Sequence, residues 1–382
     1  MNLALSDEQV FLREAARGAL SRSKTIEAAR EALDGDEGAL PDLWPTAREA
    51  GWPGLLIAEE HGGAGLDAFD AMLVLGECGR VLAGIPLLGH LPASAILNSA
   101  AGGDGIPAML AQLATGELRA AYLPVSPPDD LGAGWTVDAA HGLERPAAPT
   151  AVADGPGVNL SGELAFVPDA PGADVLVGVA LLDGNPVGVA IEVGAAGVSV
   201  EAVTRYDATR SLGHVSLKDT PARLLDTPVA ELAGAWYLAQ TLVAAESLGS
   251  VEVALDVSVE YAKERHTFGR AIGSYQAVKH SLTEVLRQLE NGRSLLYYAG
   301  WARNGAPQEF PLAASAARSV AGRALDDAAR TMISVHGGIG ATWEHDAPLY
   351  FRRAQLSRRL LGGTARATDR VAGELIAQAD AA

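Results

Sequence analysis

One stretch in the C-terminal third combines a charge, a ring and an amide at close spacing: Glu264-Arg265-His266-Thr267-Phe268-Gly269-Arg270-Ala271-Ile272-Gly273-Ser274-Tyr275-Gln276. Arg265 offers a planar fork of N–H donors that matches a phosphate, Phe268 a flat apolar face, and Gln276 an amide that donates and accepts. Together they could grip an anionic ligand that carries a ring. The same residues also read as an arginine near a helix C-terminus and a core phenylalanine, and spacing alone leaves both readings open. Further on, His336-Gly337-Gly338-Ile339-Gly340 precedes Thr342-Trp343-Glu344-His345-Asp346 and the basic pair Arg352-Arg353. Paired glycines let a backbone approach a ligand or another chain, or simply end a helix. A third glycine cluster, Glu60-His61-Gly62-Gly63-Ala64-Gly65, reads equally as a tight inter-helix turn or a ligand-facing loop.

The elements that must position these residues follow from periodicity. From Ser6 to about Ala101 the pattern is helical: Ser6 and Asp7 offer an N-cap, and Val10, Leu12, Ala15, Ala16 and Leu20 recur at helical spacing. From Arg119 to about Leu225, short Val-rich runs are broken by Gly, Pro and Asp, and Asp183-Gly184-Asn185 is a hairpin signal. Strands in succession without helices between them imply a small antiparallel barrel or sandwich. From Pro228 onward long Ala- and Leu-rich runs predict a helix bundle, with one helix ending at Gly269 and the next beginning near Ser274. The expected fold class is α+β, mainly α, with a helical domain over 1–118, a small barrel or sandwich over 119–226 and a helix bundle over 227–382.

Composition narrows the partners. Hydrophobic residues make up 48% of the 382, enough for a large core. Lys and Arg total 29 against 47 Asp and Glu, a net charge of −18 that repels nucleic acid and anionic membranes, so an anionic ligand needs a local cationic site. The single cysteine, Cys78, excludes an internal disulfide and a cysteine-based metal cluster, and no metal site is expected. The first residues carry acidic groups and no long apolar run, so the expected location is the cytoplasm.

The Arg265 stretch resembles the R-x-x-F-G-x-x-I-x-x-x-Q signature of the acyl-CoA dehydrogenase family, with Arg265, Phe268, Ile272 and Gln276 in register. In that family this turn crosses a dimer interface to hold the FAD of the neighbouring subunit. The H-G-G-x-G stretch at Gly337 and Gly338 is similar to the segment that continues the contact to the neighbour's FAD pyrophosphate. Here Ser334 replaces the usual amide three places earlier. The resemblance thus implies FAD as cofactor, with Arg265, Thr267, Phe268, Ile272, Gln276, Ser334, Gly337 and Gly338 at its site, and it makes 119–226 a β-barrel and 227–382 a four-helix bundle that dimerises. Gly51-Trp52-Pro53-Gly54-Leu55 with Glu59 to Gly65, and Asp207-Ala208-Thr209-Arg210, resemble further family segments.

The catalytic part of the family pattern is broken. Desaturating an acyl thioester requires a base for the α proton while the β hydrogen leaves as hydride to the flavin. The family's glutamate before a Gly-Thr pair is matched by Gly362, and its alternative position on the preceding helix by Ala239. Glu246, the nearest acid, lies seven residues and about 10 Å beyond Ala239 along the same helix, and it reads as a substitute base or as a polar residue facing an interface. Where the family has a T-E-P-x-x-G-S-D-like loop, this chain has Tyr122-Leu123-Pro124-Val125-Ser126-Pro127-Pro128-Asp129-Asp130. Where it has an aromatic followed by a hydroxyl residue and Asn, this chain has Ala165-Phe166-Val167-Pro168-Asp169, with no hydroxyl and no N–H at Pro168.

The chain is therefore similar to the base-lacking subunit of hetero-oligomeric acyl-CoA dehydrogenases, which are associated with bulky thioesters such as steroid side chains. That likeness implies an acyl-CoA substrate, a second dehydrogenase-like subunit in a heterotetramer, and an electron-acceptor flavoprotein. The alternatives are a self-sufficient homo-oligomer using Glu246 and a flavin monooxygenase on the same scaffold.

Overall fold

The computed structural model describes residues 4–33, 40–100, 102–125, 148–204 and 206–380. Ser6 begins the first helix, α1 (Asp7–Leu20), through a capping box. Its hydroxyl accepts from the Gln9 backbone N–H and the Gln9 side chain answers the Ser6 N–H. Helices α2 (Thr25–Leu33), α3 (Trp44–Glu49), α4 (Ala68–Arg80), α5 (Leu87–Ser99) and α6 (Ile106–Ala114) follow. The glycine cluster between α3 and α4 folds back on the Trp52–Gly54 turn, with Ala64 N–H donating to Gly54 C=O at 2.9 Å and Leu66 N–H to Leu55 C=O at 2.9 Å. A Cβ at Gly63 would lie 2.1 Å from the Ile57 carbonyl oxygen. Close backbone packing accounts for the glycine there, so the inter-helix turn is the reading that stands.

Strands β1 (Ala120–Leu123), β2 (Thr150–Asp154), β3 (Gly157–Pro168), β4 (Val175–Leu182), β5 (Asn185–Glu192), β6 (Val198–Ala202) and β7 (Leu212–Leu225) form the middle of the chain. Pairing runs β4-β2-β3-β7-β5 and returns to β4, which closes a barrel, with β1 on β4 and β6 on β7. The anticipated hairpin is present: Leu182 pairs with Asn185 across Asp183 (φ 50°) and Gly184 (φ 79°), both left-handed as a type I′ turn requires. The sheet is not wholly antiparallel, because β4 takes both β1 and β2 in parallel. Such pairs need crossovers rather than tight turns, a feature that local alternation does not carry. Of the loop after β1, residues 126–130 fall outside the described residues.

The last third is built from α7 (Val229–Glu264), α8 (Gln276–Gly305), α9 (Phe310–His336), the shorter α10 (Ala347–Ser357) and α11 (Gly363–Asp380). The run from Trp236 to Val251 on α7 is buried on all sides, against α4, α5 and α9. Two boundaries differ from the periodicity reading. Helix α7 stops at Glu264, five residues before Gly269, because a two-stranded hairpin, β8 (His266–Thr267) with β9 (Arg270–Ala271), is inserted, and α8 starts at Gln276 rather than near Ser274.

Candidate functional site

The hairpin carries the Arg265 stretch outward. Its two-residue turn puts Phe268 at φ 48° and Gly269 at φ 80°, again type I′. A phenylalanine in the left-handed region costs about 1–2 kcal/mol, and this one is also 94% exposed, so neither local preference nor burial explains it. Arg265 caps α7, its N–H donating to the Tyr261 carbonyl, and its exposed guanidinium has no ion-pair partner among the described residues. Thr267 and Gln276 are exposed and Ile272 is half-buried. The Tyr275 hydroxyl donates to the Thr267 carbonyl at 3.2 Å, and the Arg270 guanidinium stacks 4.0 Å from the Tyr275 ring, so the loop is braced from within.

The second motif lies at the same end of the bundle. Tyr261 on α7 stacks on His336 at the end of α9 (4.3 Å between centroids), and His336 on His345 (4.1 Å). Beyond His336 the chain turns at Gly337 (φ 63°); Gly337, Gly338 and Ser334 are exposed, and a Cβ on either glycine would meet open space. The sequence did not single out an adjacent stack, in which the Arg352 guanidinium sits between the half-exposed rings of Tyr206 (4.2 Å) and Trp343 (5.0 Å).

Glu246 is not a free base. One carboxylate oxygen pairs with the Arg210 guanidinium, and the other accepts from Arg353 Nη1 at 2.6 Å, with the side chain 4% exposed. Arg353 also donates to Asp207 Oδ2 at 2.6 Å, to Thr209 Oγ1 at 2.5 Å and to the Leu82 carbonyl at 3.3 Å. This buried cluster ties α7, α10, the loop before β7 and the residue after α4 into one unit. Burial alone would raise the Asp207 carboxyl, but Arg353, Thr209 and Arg210 outweigh it and hold it below the usual range. Buried and paired through both oxygens to guanidinium groups, Glu246 is placed as the anion of a structural ion cluster, which argues against its reading as a substitute base. Asp207 to Arg210 take their place in the same cluster.

One expected base position, Gly362, packs against the helix that carries the other, Ala239. Leu361 (φ 54°), Gly362 (φ 79°) and Gly363 (φ 75°) form a left-handed turn ahead of α11. A Cβ at Gly362 would lie 2.9 Å from Arg366 Cδ and 3.2 Å from the indole of Trp236, three residues before Ala239 on α7. Trp236 and Ala239 are 2% and 0% exposed. The Gln240 amide, on the same helix face, donates to the Leu361 carbonyl at 3.3 Å and holds the turn against α7. Gly362 is thus suited to its left-handed conformation, and a side chain there would also need Arg366 and the indole to shift.

The barrel end next to this region points inward as well. Phe166 (φ 56°) packs edge-on to His214, 4.8 Å between centroids, and Asp169 (φ 62°) accepts the Gly89 N–H at 2.8 Å. Gly89 lies in the first turn of α5, so Asp169 caps that helix from another layer. Burial pushes its carboxyl up to about 7. At this strand end Pro168 has no N–H, and the Asp169 N–H donates to the Ser211 carbonyl at 3.0 Å.

A helical layer, a closed barrel and a helix bundle with an outward anion-and-ring hairpin define a flavoprotein dehydrogenase scaffold. The N-terminal domain of acyl-CoA dehydrogenase matches residues 6–125 and the C-terminal domain residues 237–376. The chain belongs to the acyl-CoA dehydrogenase family, whose members are FAD-dependent oxidoreductases. It is 31% identical to acyl-CoA dehydrogenase IpdE2 of Mycobacterium tuberculosis (strain ATCC 25618 / H37Rv) over 93% of each chain. It is 30% identical to a variant of the Tcur3481-Tcur3483 steroid ACAD, covering 98% of this chain and 99% of that one with a TM-score of 0.85. The ChsE4-ChsE5 complex from Mycobacterium tuberculosis has the same fold, with a TM-score of 0.84 at 24% identity over 98% of this chain and 99% of that one. Among the described residues, no helix is long and apolar enough to cross a membrane.

Proposed function

We propose that this chain is the base-lacking subunit of a hetero-oligomeric acyl-CoA dehydrogenase, and that its exposed hairpin holds the FAD of a catalytic partner subunit. The observation that carries the reading is the pairing of opposites within one chain: Gly362 pressed against Trp236 where the base belongs, and Phe268 exposed on a hairpin beside an unpaired Arg265. Arg265 would meet a phosphate of FAD, Phe268 its ring system and Gln276 its polar edge, with Thr267, Ile272, Ser334, Gly337 and Gly338 lining the approach. When bound, FAD accepts the β hydrogen of the thioester as hydride. The partner supplies the base for the α proton, because neither Gly362 nor Ala239 has an ionisable group and Glu246 is held between two arginines.

Kinship with IpdE2 and with the two-component steroid ACADs supports a bulky acyl-CoA as substrate and a heterotetramer as the assembly, with electrons passing on to an acceptor flavoprotein. The self-sufficient alternative depends on Glu246 and loses its support with the ion cluster. The test is flavin stoichiometry of the chain purified alone and after co-expression with dehydrogenase-like chains. Little FAD alone and one FAD per mixed pair is the expected result; one FAD per chain in a homo-oligomer that turns over acyl-CoA would overturn the reading.

A further inference from the structure

The region between α7 and the 360–363 turn is closed by a side chain as well as lacking a carboxylate. A Cβ at 362 would meet Arg366 Cδ at 2.9 Å and the Trp236 indole at 3.2 Å, and Leu360 and Leu361 of the same turn are 0% and 2% exposed. One turn along the same face of α7, Gln240 keeps its Oε1 buried and without a hydrogen-bond partner, although its Nε2 is used. A buried acceptor left unpaired costs about 1–3 kcal/mol, which marks a wall shaped for a polar group that the packed indole keeps away. The cavities beside α1, α4, α7 and α8 (about 90 Å³) and on α8 and α9 (about 660 Å³) are not lined by Trp236, Ala239 or Gly362.

We infer that Trp236 is the steric determinant that denies this chain an acyl thioester of its own. Without the indole, the space it occupies beside the 360–363 turn would be apolar apart from the Gln240 acceptor, suited to a thioester-linked apolar chain. The inference rests on the supporting-subunit reading and deepens it, since it makes the loss of the second acyl site a matter of volume as well as of chemistry. A base restored at Gly362 alone would press on Arg366 and the indole and would strain a backbone held at φ 79°.

The experiment is calorimetric titration of the full chain with the octyl thioether of CoA, an unreactive probe, comparing the native chain with Trp236→Ala. The native chain should take up no probe, and the variant about one equivalent, a gain of at least tenfold in affinity. Trp236→Leu, which removes less volume, serves if the alanine variant does not fold, and circular dichroism checks both. Binding of the probe by the native chain would overturn the inference, as would a folded variant that still excludes it. Flavin stoichiometry judges the supporting-subunit reading separately, so a failure of either is recognisable.

Discussion

Helix α7 carries two regions of opposite character, separated by roughly 40 Å along its axis. At its C-terminal end the chain exposes what a folded protein normally hides, a phenylalanine in a left-handed turn beside an unpaired arginine. Toward its N-terminal end it hides what an enzyme normally exposes: the base positions lie under Trp236, Leu361 and a turn pinned by Gln240. The difference shows where stability and function have been placed. Strain is tolerated where another molecule can compensate for it, whereas the inward region is packed as core and offers no carboxylate at either base position.

The comparison breaks most readily at the ion cluster. Glu246→Ala leaves Arg210 and Arg353 buried without their shared carboxylate and should cost about 3–5 kcal/mol in urea unfolding. If stability were unchanged while turnover of the assembled enzyme collapsed, Glu246 would be catalytic after all. Next in size is Asp169. Its folded pKa, about 7, lies above the unfolded value of about 3.9, so the neutral carboxyl favours the fold fully below pH 4, and that contribution is lost as pH rises toward 7. Asp169→Asn should therefore match the native chain near pH 4 and exceed its stability by up to about 4 kcal/mol above pH 7. Parallel pH–stability curves would show that burial does not govern this group.

At the outward end, Arg265→Met should weaken FAD retention by the mixed complex by about 1.5–3 kcal/mol, read by flavin fluorescence, with the melting temperature of the lone chain unmoved. A matching loss of stability in the lone chain would mean that Arg265 serves the fold. The smallest effect is expected from Phe268→Asn, which suits the left-handed turn. The lone chain should gain less than about 1 kcal/mol while the complex loses flavin, and a loss in both would make Phe268 a structural residue.

The three-part order of helices, barrel and bundle was legible because helical and alternating periods differ plainly, and the hairpin at Asp183-Gly184 because a type I′ turn restricts its residues so strongly. The β8–β9 hairpin was misplaced into α7 because Glu264 to Phe268 contain no residue that breaks a helix until Gly269. Of the candidate site, Arg265 and Phe268 stand out through the family signature, because type and spacing alone also fit a surface arginine and a core phenylalanine. Glu246 was misjudged because its partners, Arg210 and Arg353, are distant in sequence and only the fold joins them. Trp236 gave a signal that went unused: it lies three residues before Ala239, on the same face of the helix. The role of Asp169 as a cap on α5 depends on a contact 80 residues away in the chain, which no local pattern encodes.

Phe268 also has a cost in the cell. A chain released without its partner displays an aromatic ring, 94% exposed, at the tip of a projecting loop, the kind of surface that chaperones hold and that drives self-association. If the proposed partner covers this ring, the lifetime of the chain would be tied to its companion, with molecules made in excess drawn into aggregation or proteolysis.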